Sequence, residues 1–189
     1  MTLDNVTQVL QELKEGNPEA KEKLYQSVYY ELKKTAKSVR KRYSDAHTMN
    51  TTALVHEAYM KMVPENIEWQ NRLHFYYIAG KVMRQILYNY AEKKMAAKRG
   101  SNKAHADVEQ YKEVIPLDEK SFFEIYCLEN VLQKLEEEDK TYGDIVECRF
   151  YSGMTIEETA QALSISQSSV KRKWNFAKAW LLKEIKDLS

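Results

Sequence analysis

An all-α protein of two small helical domains joined by a linker is the architecture this sequence predicts. Three observations carry it. Glycine and proline are scarce, five and three in 189 residues, while Lys, Glu, Ala, Leu and Tyr are frequent, which suits long periodic helices better than sheets. Apolar residues recur at three- and four-residue steps through most of the chain. One polar stretch, about Gly100 to Lys120, contains Pro116, holds no sustained period and reads as the linker.

The elements follow in order. A first helix spans about Leu3 to Leu13, with Val6, Val9, Leu10 and Leu13 on one side, and ends at Gly16-Asn17-Pro18. A second begins near Pro18, carries Leu24, Val28, Leu32, Ala36 and Val39, and ends in Arg40-Lys41-Arg42. After a polar loop from Ser44 to Asn50, a third helix, Thr52 to Met62, buries Leu54, Val55, Ala58, Tyr59 and Met62 before Pro64 stops it. The loop Val63 to Asn71 contains Trp69. A long fourth helix runs from Arg72 to about Arg99, with a core face of Phe75, Ala79, Val82, Met83, Ile86 and Tyr90. His74, Tyr77, Lys81, Arg84 and Tyr88 form one stripe on its opposite face. Beyond the linker, one helix carries Phe122 to Leu135 and ends at Glu138, and another spans about Thr141 to Tyr151.

The C-terminal pattern is sharper. Thr155-Ile-Glu-Glu158 is a capping box opening a short helix that buries Ile156, Ala160 and Leu163. Ser164 to Ser166 makes a tight turn with Ile165 inward, and Ser166 caps a second helix. That helix buries Val170, Trp174, Ala177 and Leu181 and presents Ser168, Lys171, Arg172 and Asn175. Short helix, turn and cationic second helix make a helix-turn-helix. Arg and Asn can read guanine and adenine edges in the major groove, while Lys173 and Lys178 are placed for phosphates. An ordinary helical hairpin with a solvated cationic face is the alternative.

Charge organises the chain as well. The net charge is +1, yet Lys81, Arg84, Lys93, Lys94, Lys98, Arg99 and Lys103 form a basic block opposed only by Glu92. An acidic stretch follows, ending at Glu136-Glu137-Glu138-Asp139, and a second basic block contains Lys171, Arg172, Lys173, Lys178, Lys183 and Lys186. Two basic blocks fit two polyanion sites, or two solvated helix faces. Cys127 and Cys148 sit at apolar helical positions without metal-ligand spacing, so buried reduced thiols are expected. His56-Glu57 begins a zinc-protease pattern, but position 60 is Met. No Gly-rich phosphate loop, metal-ligand cluster or nucleophile motif is present in the sequence. No catalytic residue, metal or cofactor is therefore expected, and without signal peptide or membrane-length apolar run a soluble cytoplasmic protein is expected.

These motifs together resemble the extracytoplasmic-function (ECF) sigma factors of bacterial RNA polymerase. IVECRFYSGMTIEETAQALSISQSSVKRKWNFAKAWLLKEI is similar to their region four, which reads the distal (minus-thirty-five) promoter element. TTALVHEAYMKM resembles the polymerase-docking part of region two. HFYYIAGKVMRQILYNYAEKKMAAKRG resembles the parts of region two that melt and read the proximal (minus-ten) element. The resemblance covers nearly the whole chain in the family's order. It implies region two over residues 1–100, a linker over 101–120 and region four over 121–189, without an acidic N-terminal arm or an intervening region-three domain.

The resemblance also implies site residues. His56, Glu57 and Lys61 would meet the polymerase clamp, although a plain solvated face explains them too. Trp69, His74, Tyr77, Lys81, Arg84, Tyr88, Lys98 and Arg99 would meet the proximal element, the aromatics offering stacking platforms and the cations meeting phosphates. Tyr76 and Tyr77 fit packing equally well. Ser168, Lys171, Arg172, Lys173, Asn175 and Lys178 would meet the distal element. The implied partners are core RNA polymerase and promoter DNA, with a monomer joining the holoenzyme and no membrane insertion. An anti-sigma factor belongs to the family's repertoire, but the linker identifies none. A stand-alone helix-turn-helix regulator is the alternative function, and it has no need of the clamp-docking helix. A recombinase or nuclease is a distant third.

Overall fold

The computed structural model describes residues 4–43, 51–62, 69–98 and 119–187. The expected loop at Ser44 to Asn50, residues 63–68 of the loop expected to reach Asn71, all of the expected linker but its last two residues, and Leu3 lie outside them; Glu119 and Lys120, expected in the linker, already belong to a helix. Among the described residues the regular structure is all helical. The elements are α1 (Asp4–Lys14), α2 (Ala20–Tyr43), α3 (Thr51–Met62), α4 (Arg72–Lys98), α5 (Glu119–Glu138), α6 (Lys140–Val146), a π-helical turn (Glu147–Tyr151), α7 (Ile156–Leu163) and α8 (Gln167–Asp187).

The apolar spacing seen in the sequence explains the first four helices. Val6, Val9 and Leu10 of α1 are buried, and Gly16 ends the segment at φ +81°, a conformation that glycine adopts without Cβ strain. The Asn17 side chain then accepts from the Glu19 amide at 3.0 Å. Leu24, Val28, Leu32, Ala36 and Val39 of α2 are fully buried, as are Leu54, Val55, Ala58 and Met62 of α3. The Tyr59 hydroxyl donates to the Lys21 carbonyl at 2.5 Å, and its ring meets Tyr25 edge-on at 4.8 Å, so α3 is fixed to α2 by a directional bond as well as by burial. Phe75, Ala79, Met83, Ile86, Leu87 and Tyr90 bring α4 into the same core, while Val82 is half-buried.

That core does not stop at α4. Ile125, Leu132 and Leu135 of α5, Val146, Tyr151 of the π turn and Ala177 of α8 join it. The C-terminal half therefore packs on the N-terminal half, with α5 and the π turn against α4. The sequence predicts one helix from Thr141 to Tyr151; the structure divides it. Asp139 caps α6, accepting from the Thr141 amide at 2.8 Å, and the helix widens into a π turn at Glu147. A π turn admits one more residue per cycle and turns the face that follows. Glu147, Cys148 and Tyr151 are all buried there.

The helix-turn-helix forms through its local chemistry. The Thr155 hydroxyl accepts from the Glu158 amide at 3.1 Å, and Glu158 accepts from the Thr155 amide at 2.8 Å. Ser164 ends α7 in the left-handed region at φ 54°, and the Ile165 amide closes on the Ala160 carbonyl at 3.0 Å. Ser166 caps α8 by accepting from the Ser169 amide at 3.2 Å. Val170 and Ala177 of α8 are fully buried, with Trp174 and Leu181 partly buried on the same face. In α7 the burial differs from the expected set. Thr159, Ala160 and Ala162 are the buried residues, with Ile156 and Leu163 half-covered, because a helix this short leaves its ends at the edge of the core.

Candidate nucleic-acid interfaces

Two helices carry the residues with nucleic-acid chemistry, and they stand in different surroundings. On α8, Ser168, Lys171, Arg172, Asn175 and Lys178 are exposed. Positions 168, 171, 172 and 175 share one outward stripe, because burial of Val170, Trp174 and Ala177 fixes which way the helix faces. Lys178 lies beside that stripe with its ammonium 5.4 Å from the Trp174 ring centroid. Lys173 is half-buried. It pairs with Asp139 and sits 4.6 Å from the Tyr142 ring centroid. Lys173 is thus joined to the cap of α6, which differs from a free phosphate contact. The bond from Lys173, followed by that from Thr141, holds the Asp139 carboxyl down at about 2.

On α4 the stripe from His74 to Tyr88 faces the C-terminal half. Arg84 is 5% exposed and Tyr77 8%. The sequence places both on the face opposite the core; the structure buries that face too, because α5, the π turn and α7 pack over it and Asp144 of α6 reaches Tyr77. Arg84 Nη1 donates to both oxygens of Glu129 at 3.0 and 3.2 Å, and Nη2 to Glu136 at 3.4 Å. Its Nε lies 2.8 Å from Glu147 Oε2, an ion contact outside hydrogen-bond alignment. The Tyr77 hydroxyl donates to Asp144 at 2.6 Å. Tyr88 stacks on Tyr126 at 6.3 Å and 15°. His74 stacks on Tyr77, and the Lys81 ammonium lies 5.9 Å from the Tyr77 ring centroid.

The electrostatics follow from this enclosure. Burial pushes Glu147 up to about 8, against the pull of Arg84. Burial raises Glu129 as well, again opposed by Arg84. Desolvation works to lower the Arg84 guanidinium, but Glu147, Glu129 and Glu136 outweigh it and raise it. Burial, followed by the bond to Asp144, raises the Tyr77 hydroxyl, and burial lowers His74 and raises the Cys148 thiol. Cys148 is buried as expected, whereas Cys127 is only partly covered.

The remaining candidates are spread over α3 and the ends of α4. His56 and Lys61 are exposed and Glu57 half-buried, with Lys61 and Glu57 paired at 3.8 Å. Met60 stands beside them, 55% exposed. In the sequence Met60 stands only as the misfit in a zinc motif; an apolar residue one turn from His56 and off the core face of α3 is the signal available there. Trp69 is half-buried and packs on Phe75 at 5.1 Å, so it belongs to the core's edge. Lys98 ends α4, but its side chain lies outside the described residues, as does Arg99. Glu129, Glu147 and, on α4 itself, Gly80 stand out in no sequence motif, and Glu136 reads only as the end of an acidic stretch. The acidic excess of α5 facing a basic α4 is the signal for Glu129 and Glu136.

Among the described residues no helix is long and apolar enough to cross a membrane. A family model described as ECF sigma factor matches residues 3–187. No curated protein and no solved structure matches the chain.

Proposed function

The chain belongs to the ECF sigma factor family, RNA polymerase-binding, promoter-specific initiation factors that are themselves non-catalytic, and on that premise we propose how its surfaces divide the work. Residues 121–189 form region four, and the α8 stripe of Ser168, Lys171, Arg172 and Asn175, with Lys178 beside it, docks in the major groove of the distal element. Lys173 contributes from the edge, since Asp139 already holds it. Residues 1–100 form region two. Its α3 presents His56, Glu57 and Lys61, with Met60 among them, to the polymerase clamp. Its α4 offers Lys81, Arg84, Tyr77 and Tyr88 to the opened proximal element, with His74, Trp69, Lys98 and Arg99 flanking them. The chain enters the holoenzyme as a cytoplasmic monomer without cofactor, and the polymerase makes the bonds.

The observation that carries this reading is the family match across both halves, supported by an outward, exposed, capped recognition helix. Reconstituted transcription tests it. The protein is added to sigma-free core polymerase with fragmented DNA from its host, and transcript starts are mapped. Discrete starts that share two spaced upstream elements are expected. Absence of starts, together with tight DNA binding by the protein alone, sinks it. One observation favours a second reading, a stand-alone regulator: α8 is open while α4 is covered. A palindromic footprint without polymerase would establish that alternative.

A further inference from the structure

A cavity of about 390 Å³ opens between α5, the end of α6, the π turn and α8, a size ordinary for a small-molecule site. Leu128, Val146 and Trp174 are among its walls, and apart from Arg149 and Lys178 the lining is aliphatic or aromatic. Among the described residues no carboxylate lines it. The two cations converge on one indole. The Arg149 guanidinium carbon lies 5.8 Å from the Trp174 ring centroid, and the Lys178 ammonium 5.4 Å from it. Arg149 Nη1 donates to the Met154 carbonyl, while its buried Nε has no hydrogen-bond partner among the described residues. A buried donor left unbonded is costly, and an acceptor brought in beside Arg149 removes that cost. Leu182 and Ile185, 63% and 38% exposed, form the outer edge. The lining runs from Leu128 to Ile185, so the cavity belongs wholly to the C-terminal half and does not depend on what covers α4.

We propose that this cavity is a ligand site for a small amphipathic anion: a carboxylate carried on an apolar body of about ten carbons, with the body against Leu128, Val146 and Leu182 and the head held by Arg149 and Lys178. Charge decides the class. Apolar walls accept any body of the right size, since burial is not directional. Two cations in a lining without acids repel a cationic head and give an anionic one charge-assisted hydrogen bonds. The two have different parts. The Met154 carbonyl holds the Arg149 guanidinium in place, whereas Lys178 is exposed and its flexible stem lets the ammonium follow the head. Because Lys178 stands at the rim, the carboxylate keeps part of its hydration, and its desolvation cost stays small. Lys178 also borders the outward stripe of α8, but the ligand site stands whether or not that stripe reads DNA.

The test uses the full chain. Isothermal titration calorimetry follows sodium decanoate below its micelle concentration, with decanol and decyltrimethylammonium as probes of the same chain length. The expected result is saturable one-to-one binding of decanoate with a Kd on the order of 100 µM, about tenfold tighter than either control, and a Tm that rises with decanoate concentration. Arg149→Met and Lys178→Met keep apolar bulk and remove one charge each. Each should weaken decanoate binding about tenfold and leave decanol binding unchanged. Leu182→Glu sets a like charge at the outer edge and should weaken decanoate more than decanol. Absence of saturable decanoate binding overturns the proposal. Equal affinity for decanoate and decanol makes the cavity a general apolar cleft and overturns it too, as does tighter binding of decyltrimethylammonium. Decanoate binding that survives all three substitutions places the ligand elsewhere and has the same consequence. If Arg149→Met loses its helical circular dichroism, Lys178→Met and Leu182→Glu decide, since both positions are exposed.

Discussion

Helices α4 and α8 carry similar chemistry and meet opposite surroundings. Both present Lys, Arg and polar or aromatic groups in a stripe opposite an apolar face. Arg172 on α8 is exposed, whereas Arg84 on α4 is 5% exposed and ringed by three carboxylates. The difference lies in the partner rather than in the helix. The stripe of α8 points away from the bundle, while that of α4 looks at α5 and the π turn. A cationic stripe therefore specifies an affinity for anions, and the fold determines which anions meet it first.

The largest effect that can break this comparison comes from Arg84. Arg84→Ala leaves Glu129 and Glu147 buried without their cation, and should lower the stability of the fold by about 3 kcal/mol, read as an earlier denaturant midpoint. An unchanged midpoint would show that the cluster is not enclosed in solution. Alkaline pH acts on the same cluster. Glu147 is raised to about 8 by burial, so the folded chain binds a proton that the unfolded chain releases near the ordinary carboxylate value. Its contribution is complete below that ordinary value and is lost as pH rises through about 8. Lys81 and Arg84 oppose this shift, Glu129 and Glu136 reinforce it, and Asp139, held near 2, titrates far below the window. Raising the pH from about 6 to about 8.5 should lower the Tm by about 5 °C. A Tm that rises over that range would contradict the enclosure of Glu147.

On the open helix the expectation reverses. Arg172→Ala should leave the unfolding free energy unchanged within about 0.5 kcal/mol and weaken holoenzyme selection of the distal element about tenfold, as loss of one base contact does. A promoter footprint indistinguishable from wild type would remove Arg172 from the reading surface. The smallest effect belongs to the scaffold beneath α8. Thr155→Ala removes the capping box and should cost about 1 kcal/mol of stability, seen in thermal unfolding, with base preference unchanged.

Legibility follows the range of the interaction. The buried face of α3, the Thr155 cap, the Ser166 cap and the outward face of α8 are all built in steps of no more than four positions, and the residue pattern alone is enough to place them. The π turn is not legible in that way, since an apolar period of about four fits α and π geometry alike. The half-burial of Lys173 is also hidden, because Asp139 stands 34 residues away. For the candidate site, the α8 stripe is legible as an exposed face, whereas the α4 stripe is legible only as a set of residues and not by its surroundings.

The sequence by itself determined an all-helical chain, the apolar faces of its longer helices, the helix-turn-helix and the family resemblance, because periodicity, caps and local motifs act between near neighbours. Tertiary structure alone decided that Arg84 meets Glu129 and Glu136, 45 and 52 residues further on, and that Gly80 admits the π turn against α4. Such pairs depend on how two apolar faces dock, and a local pattern records only that each face exists.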